Sequence, residues 1–85
     1  QLARFYLDTI RHPAIRLPPA DAVESDAWHL FVVRHPARDR LAAHLVSRGV
    51  GSAVHYPIPP HHQAAYPEYR RLKLPITERI HREVL

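Results

Sequence analysis

The chain has 85 residues, a mass of 9.8 kDa and no cysteine, which restricts it to one small domain without disulfides or thiolate metal sites. Twelve Lys and Arg against eight Asp and Glu give a formal net charge of +4, but the basic residues are scattered and do not form the clustered face typical of nucleic-acid binding. No apolar run is long enough to cross a membrane, so we expect a cytoplasmic protein with neither nucleic acid nor membrane as a partner.

The first part of the chain predicts a helix, a loop and a central strand. Residues 1–11 place apolar side chains at helical spacing, up to the break at Pro13. Residues 14–17 predict a short extended segment, and residues 20–26 a polar loop. Residues 27–34 alternate with apolar side chains on both faces, which predicts a strand covered on both sides.

The middle of the chain predicts a helix followed by a second strand. Residues 37–48 carry an apolar stripe, and Gly49 stands where a left-handed C-cap is expected. Residues 51–56 predict a strand because Val54 and Tyr56 share one face, opposite to His55. A strand, a helix and a second strand favour an α+β architecture.

The last third of the chain predicts a rigid turn, an irregular segment and a final helix. Residues 57–60 contain three prolines, which excludes regular structure there. Residues 61–71 predict a loop or a short helix. The final helix is predicted from Ile76 or Thr77 to Leu85, with Thr77 as its N-cap, and its pattern continues to the last residue.

One cluster of residues points to ligand chemistry. His55 and Tyr56 end the second predicted strand, and the proline-rich turn after them leads to His61. Two imidazoles and a phenol on a rigid backbone suit a polar ligand with several hydroxyls; the alternative is that Tyr56 caps a core edge and His55 is solvated. We predict no metal site, because no two histidines stand four residues apart and the rings of His61 and His62 would point to opposite faces of an extended chain.

Five segments, in this order and spacing, resemble the motifs of one known family. They are residues 3–6 (ARFY), 27–34 (AWHLFVVR), 38–51 (RDRLAAHLVSRGVG), 54–61 (VHYPIPPH) and 74–79 (LPITER). Together they resemble the C-terminal part of the DegT/DnrJ/EryC1/StrS family of sugar aminotransferases, and the match extends over essentially the whole chain.

The resemblance implies the fold, the reaction and the partners. It implies that residues 1–85 are the small C-terminal domain of a fold-type-I pyridoxal-phosphate enzyme, an α+β fold with a mostly antiparallel sheet and helices on one face. The parent enzyme would move an amino group from glutamate to a nucleotide-linked keto sugar. It would work as a homodimer, with the large domain of the same chain holding pyridoxal phosphate. By motif, His55 and Tyr56 would bind the substrate, with His61 as a weaker candidate.

The single lysine separates this chain from the catalytic half of such an enzyme. Lys73 lies in a variable loop and matches no Schiff-base motif, so we expect no catalytic residue, bound cofactor or metal ligand in this chain, and no activity from it alone. The chain also lacks methionine, which favours a piece of a longer protein. Two alternatives stay open: a free-standing α+β binding module, and a family member with a dehydratase or regulatory role. A separated domain would expose apolar surface around Trp28 or the first helix and would self-associate.

Overall fold

Three α-helices form the regular structure of the chain. The computed structural model describes residues 1–85 apart from the side chain of residue 22. The helices are α1 (Leu2–Thr9), α2 (Arg38–Ser47) and α3 (Pro75–Glu83), and short 3-10 turns occupy Ala20–Val23, Pro60–His62 and Pro67–Tyr69. All three predicted helices are therefore confirmed, and none of the described helices is both long and apolar enough to cross a membrane.

Helix α2 is terminated by a glycine, Gly49, in the left-handed conformation. Gly49 has a φ of 75°, in the left-handed region that was predicted for it. Its N–H donates to the carbonyl of Val46 at 3.0 Å, and the N–H of Val50 donates to the carbonyl of Leu45 at 2.9 Å. These two bonds make a Schellman motif, which satisfies the last carbonyls of the helix.

The start of α3 differs from its prediction. The helix begins at Pro75, with Leu74 rather than Thr77 at the N-cap. Proline is favoured in the first turn because its missing N–H would have had no helical partner there. The Leu74 N–H donates instead to Oε1 of Glu78, at 3.0 Å. The helix ends at Glu83, and Val84 is extended, so the predicted helix to Leu85 is two residues too long.

The predicted α+β fold with a small, mostly antiparallel sheet is wrong, because the described chain has helices and no strand. Among the described residues only two isolated antiparallel bridges occur, Arg16 with Arg34 and Arg34 with Val84. The alternating apolar pattern of residues 27–34 indicates two apolar faces, but a strand also needs a continuous ladder of backbone partners. Trp28, with a φ of 32°, interrupts the extended path at the start of that segment.

The second predicted strand, residues 51–56, is also wrong: no bridge forms along it in the part of the chain that the structure describes. Strand formation depends on a neighbour, and none of the described segments pairs with this one. It instead lines one side of a large apolar groove. The groove has a volume of about 620 Å³ and lies between α1, α2 and residues 30–33. An open groove thus takes the place of a filled core.

The first helix carries the exposed apolar surface that was predicted for it. Leu2 is 62% exposed and Phe5 is 58% exposed. Ala3 is the one buried residue among the described aliphatic and aromatic side chains, proline not included. Trp28 is half-buried, and its indole N–H donates to the carbonyl of Val23 at 3.0 Å. The prediction of apolar surface is confirmed for α1, and self-association stays a prediction.

Candidate functional site

The loop formed by residues 55–62 is held against α3 at two points. Nδ1 of His81 lies 2.7 Å from the carbonyl oxygen of Tyr56, and because a carbonyl only accepts, His81 is the donor. Nε2 of His61 lies 3.3 Å from Oε1 of Glu78. Glu78 and His81 are three residues apart on one helix and therefore share a face. The proline-rich segment is thus fastened to α3 at both of its ends.

His55 and Tyr56 lie side by side at the exposed edge of this loop. Their ring centroids are 5.3 Å apart in an edge-to-face arrangement. The Tyr56 residue is 66% exposed, so its phenol is available to a ligand. His55 also lines the apolar groove. An imidazole and a phenol in this arrangement can donate and accept hydrogen bonds with hydroxyl groups of a polar ligand.

His61 is placed differently from the other two predicted site residues. It is 4% exposed, and its ring lies 4.1 Å from that of His62, centroid to centroid. The segment Pro60–His62 is a 3-10 turn, so the extended geometry that would separate the two rings does not occur. Nδ1 of His61 is buried and has no hydrogen-bond partner among the described residues. The structure brings His55 and Tyr56 together and directs His61 toward α3.

Glu78 is the residue that the sequence analysis missed. The Leu74 N–H and then the His61 ring hold the pKa of Glu78 below its ordinary value of 4.5, against the opposing effect of burial. The carboxyl is therefore ionised at neutral pH. One donor atom from each of His61, His62 and Glu78 lies within 4.8 Å of the others, and we call this group the His–His–Glu cluster. Pro60 at the start of a helical turn is the sequence signal that would have placed His61 and His62 in the same turn; no such signal points to Glu78.

A second polar feature is a cationic cavity of about 240 Å³ near the two bridges. Arg16, Arg34, Arg79 and Glu83 contribute its charged side chains. Nε and Nη2 of Arg34 both donate to Oε2 of Glu83, and this side-chain hydrogen bonding is the main cause of a lowered Glu83 pKa. One carboxylate among three guanidinium groups leaves the cavity positive, which favours anionic groups. The scattered arginines of the sequence did not indicate this convergence.

The described residues do not by themselves fit pyridoxal phosphate. The cofactor needs a lysine for covalent attachment, a partner for its pyridine nitrogen and a cradle for its phosphate. Lys73 is exposed in the loop before α3 and lines neither of the two cavities described above. No step of a pyridoxal-phosphate reaction is therefore assigned to a residue of this chain.

Comparison with known proteins gives one consistent family. The profile of the DegT/DnrJ/EryC1/StrS aminotransferase family matches residues 1–85. The chain is 41% identical, over 85 residues, to a dTDP-3-amino-3,6-dideoxy-alpha-D-galactopyranose transaminase from Aneurinibacillus thermoaerophilus; the match covers 100% of this chain and 23% of that protein.

Two further relatives are matched over shorter stretches. A dTDP-3-amino-3,4,6-trideoxy-alpha-D-glucose transaminase from Streptomyces venezuelae is 44% identical over 54 residues, which is 64% of this chain and 14% of that protein. The erythromycin biosynthesis sensory transduction protein EryC1 from Saccharopolyspora erythraea is 42% identical over 66 residues, 76% of this chain and 18% of that protein. The chain spans less than a quarter of the length of these curated relatives.

Proposed function

The chain belongs to the DegT/DnrJ/EryC1/StrS aminotransferase family, and on that premise we propose that it is the small C-terminal domain of a nucleotide-sugar aminotransferase. The observation that carries the proposal is the family match over the whole chain, together with relatives named as transaminases of dTDP-linked amino sugars. The reaction proposed for the complete enzyme is transfer of an amino group from glutamate to a nucleotide-linked keto sugar.

The cofactor of the complete enzyme is proposed to be held outside this chain. Aminotransferases of this family depend on pyridoxal phosphate, which supplies the electron sink for amino transfer. Lys73 is exposed, which supports the proposal that the lysine that attaches the cofactor belongs to a large domain and not to this chain. The 85 residues alone are accordingly proposed to be inactive.

Within this enzyme, His55 and Tyr56 are proposed to bind the sugar. Three observations support the assignment: the two rings are adjacent, the Tyr56 side chain faces solvent, and His81 fixes the Tyr56 backbone. His61 was the weaker candidate, and its burial favours a supporting position behind the loop. Hydrogen bonds from an imidazole and a phenol would select hydroxyl-bearing ligands over apolar ones.

The large domain of the same chain and a second subunit are the proposed protein partners. The open apolar groove and the exposed side chains of Leu2 and Phe5 support this, because a separate small domain would normally bury such surface. Sequencing the gene upstream of Gln1 tests the proposal directly. A reading frame that continues into a lysine-containing domain supports it, and a start codon adjacent to Gln1 would contradict it in favour of a free-standing module.

The site assignment is tested by kinetics of the complete enzyme with glutamate and a dTDP-linked keto sugar. Each of Tyr56→Phe and His55→Ala removes one hydrogen-bonding group, so we expect KM for the sugar to rise about tenfold. Tyr66→Phe and His44→Ala are matched controls, because both side chains are exposed outside the loop and should leave KM unchanged. An unchanged KM for both loop variants would remove His55 and Tyr56 from the site.

A regulatory role is the second candidate, favoured by the name of the Saccharopolyspora relative as a sensory transduction protein. The two candidates differ in their product. Mass spectrometry of the nucleotide sugar after incubation with the complete protein and glutamate should show an amino sugar if the protein is a transaminase. A deoxy sugar without added nitrogen would indicate a dehydratase, and unchanged substrate would favour regulation.

A further inference from the structure

The His–His–Glu cluster has the donor set of a transition-metal site. We propose that His61, His62 and Glu78 bind one divalent transition-metal ion, with zinc as the best match. Zinc prefers imidazole nitrogen and carboxylate oxygen, and three protein ligands leave a fourth position for water. Nothing in the proposed transaminase reaction requires this ion, so the two proposals stand independently.

The spacing of the donor atoms supports coordination. Zinc bonds to nitrogen and oxygen are about 2.0–2.2 Å long, so two neighbouring ligands of a tetrahedral ion lie about 3.3–3.5 Å apart. Nε2 of His61 and Oε1 of Glu78 are separated by 3.3 Å. That distance is long for an N–H···O hydrogen bond and matches the edge of a tetrahedron. The three donor atoms all lie within 4.8 Å of one another, and rotation of the exposed His62 side chain can bring its donor nitrogen closer to the other two.

The buried ring of His61 decides which of its two nitrogens can bind the ion. Its side chain is 4% exposed, yet Nδ1 has no partner in the described part of the chain. Buried polar atoms nearly always have a hydrogen-bond partner, because leaving one unpaired costs about 1–3 kcal/mol. Because Nε2 faces Glu78, the ion would bind Nε2 and Nδ1 would keep the ring proton, which a buried water would have to accept.

The surroundings hold two of the ligands, His61 and Glu78, in place before any ion binds. Prolines at positions 57, 59 and 60 restrict the backbone that leads to His61. Glu78 is oriented by the Leu74 N–H, which donates to its Oε1 at 3.0 Å. The ligands come from a loop and from α3, so the ion would fasten the loop that carries His55 and Tyr56 to the helix.

The test is metal binding by the untagged protein that contains these residues, after removal of metal with a chelator. Isothermal titration with Zn²⁺ should show one site per chain, and Co²⁺ should give the intense visible absorption of tetrahedral coordination. His62→Gln and Glu78→Gln should each weaken binding at least about 100-fold. Gln at position 78 retains an oxygen for the Leu74 N–H, and His62 is exposed, so both variants should keep their circular dichroism spectra.

The controls are His44→Gln on α2 and Glu68→Gln, which replace exposed residues of the same types outside the cluster. Both should bind Zn²⁺ as tightly as the unmodified protein. Absence of Zn²⁺ binding to the unmodified protein, or equal affinity in the unmodified protein and both cluster variants, would overturn the proposal. So would an equal loss of affinity in the control variants.

Discussion

Replacing Gly49 by alanine tests the physical account of the α2 C-terminus. Gly49 has a φ of 75°, and a Cβ built there meets nothing within 4 Å, so the cost is one of backbone conformation and not of collision. An L-residue in the left-handed region costs about 1–2 kcal/mol. Alanine also lowers the conformational entropy of the unfolded chain, which raises the free energy of unfolding by about 0.4–1 kcal/mol. We therefore expect Gly49→Ala to lower the free energy of unfolding by about 1 kcal/mol.

Gly51→Ala is the matched control, because its Cβ would also meet nothing within 4 Å and its φ lies outside the left-handed region. Both variants gain the same stabilisation from the restricted unfolded chain. The difference between their free energies of unfolding is therefore the cost of placing alanine in the left-handed conformation, about 1–2 kcal/mol. Urea unfolding at 25 °C, followed by circular dichroism and by fluorescence of Trp28, measures that difference. Equal free energies of unfolding for the two variants would refute the assignment of Gly49 as an obligatory left-handed cap.

Three other predictions concern the packing around α3 and α1. Arg34 holds the folded-state pKa of Glu83 below its ordinary value of 4.5, so the pair stabilises the fold above that pH and the stabilisation is lost as pH falls through the folded-state pKa. Glu83→Gln should lower stability at pH 7 and flatten the acid limb of a stability–pH profile; parallel profiles would contradict this. Arg38 donates to two carbonyls at the end of α3, at 3.1 and 3.3 Å, so Arg38→Ala should cost about 1.5–3 kcal/mol in urea unfolding, whereas the exposed Arg40→Ala should stay within about 0.5 kcal/mol. Phe5→Ser should reduce self-association in sedimentation velocity, because Phe5 is 58% exposed; unchanged association would place the contact elsewhere.

The features predicted correctly from the sequence are those that depend on near neighbours along the chain. Helical spacing located all three helices, and Gly49 marked the end of α2. The exact start of a helix is harder to predict than its existence: α3 begins at Pro75, ahead of the predicted N-cap Thr77, because proline is favoured in the first turn. The family assignment also came from sequence, because motifs in order along a chain do not depend on knowing how they pack.

The errors share one physical cause. Strand prediction for residues 27–34 and 51–56 used side-chain alternation, but a strand exists only where another segment supplies its backbone partners. Those partners are distant in sequence, and in the described part of the chain the two isolated bridges both centre on Arg34, with Arg16 on one side and Val84 on the other. The pairing with the C-terminal residues stops after Val33 with Leu85 and His35 with Glu83, so no ladder forms. Periodicity alone reports which faces are apolar and does not report what covers them.

The sequence by itself determined the helices, the glycine cap, the proline breaks and the family, all of which follow from local conformational preference or from order along the chain. Only the tertiary structure decided that the described part of the chain forms no sheet and that His61, His62 and Glu78 converge. The positions of these three residues depend on contact between a 3-10 turn and a helix, in which His61 meets Glu78 17 residues further along the chain, and such a contact is decided by the whole fold.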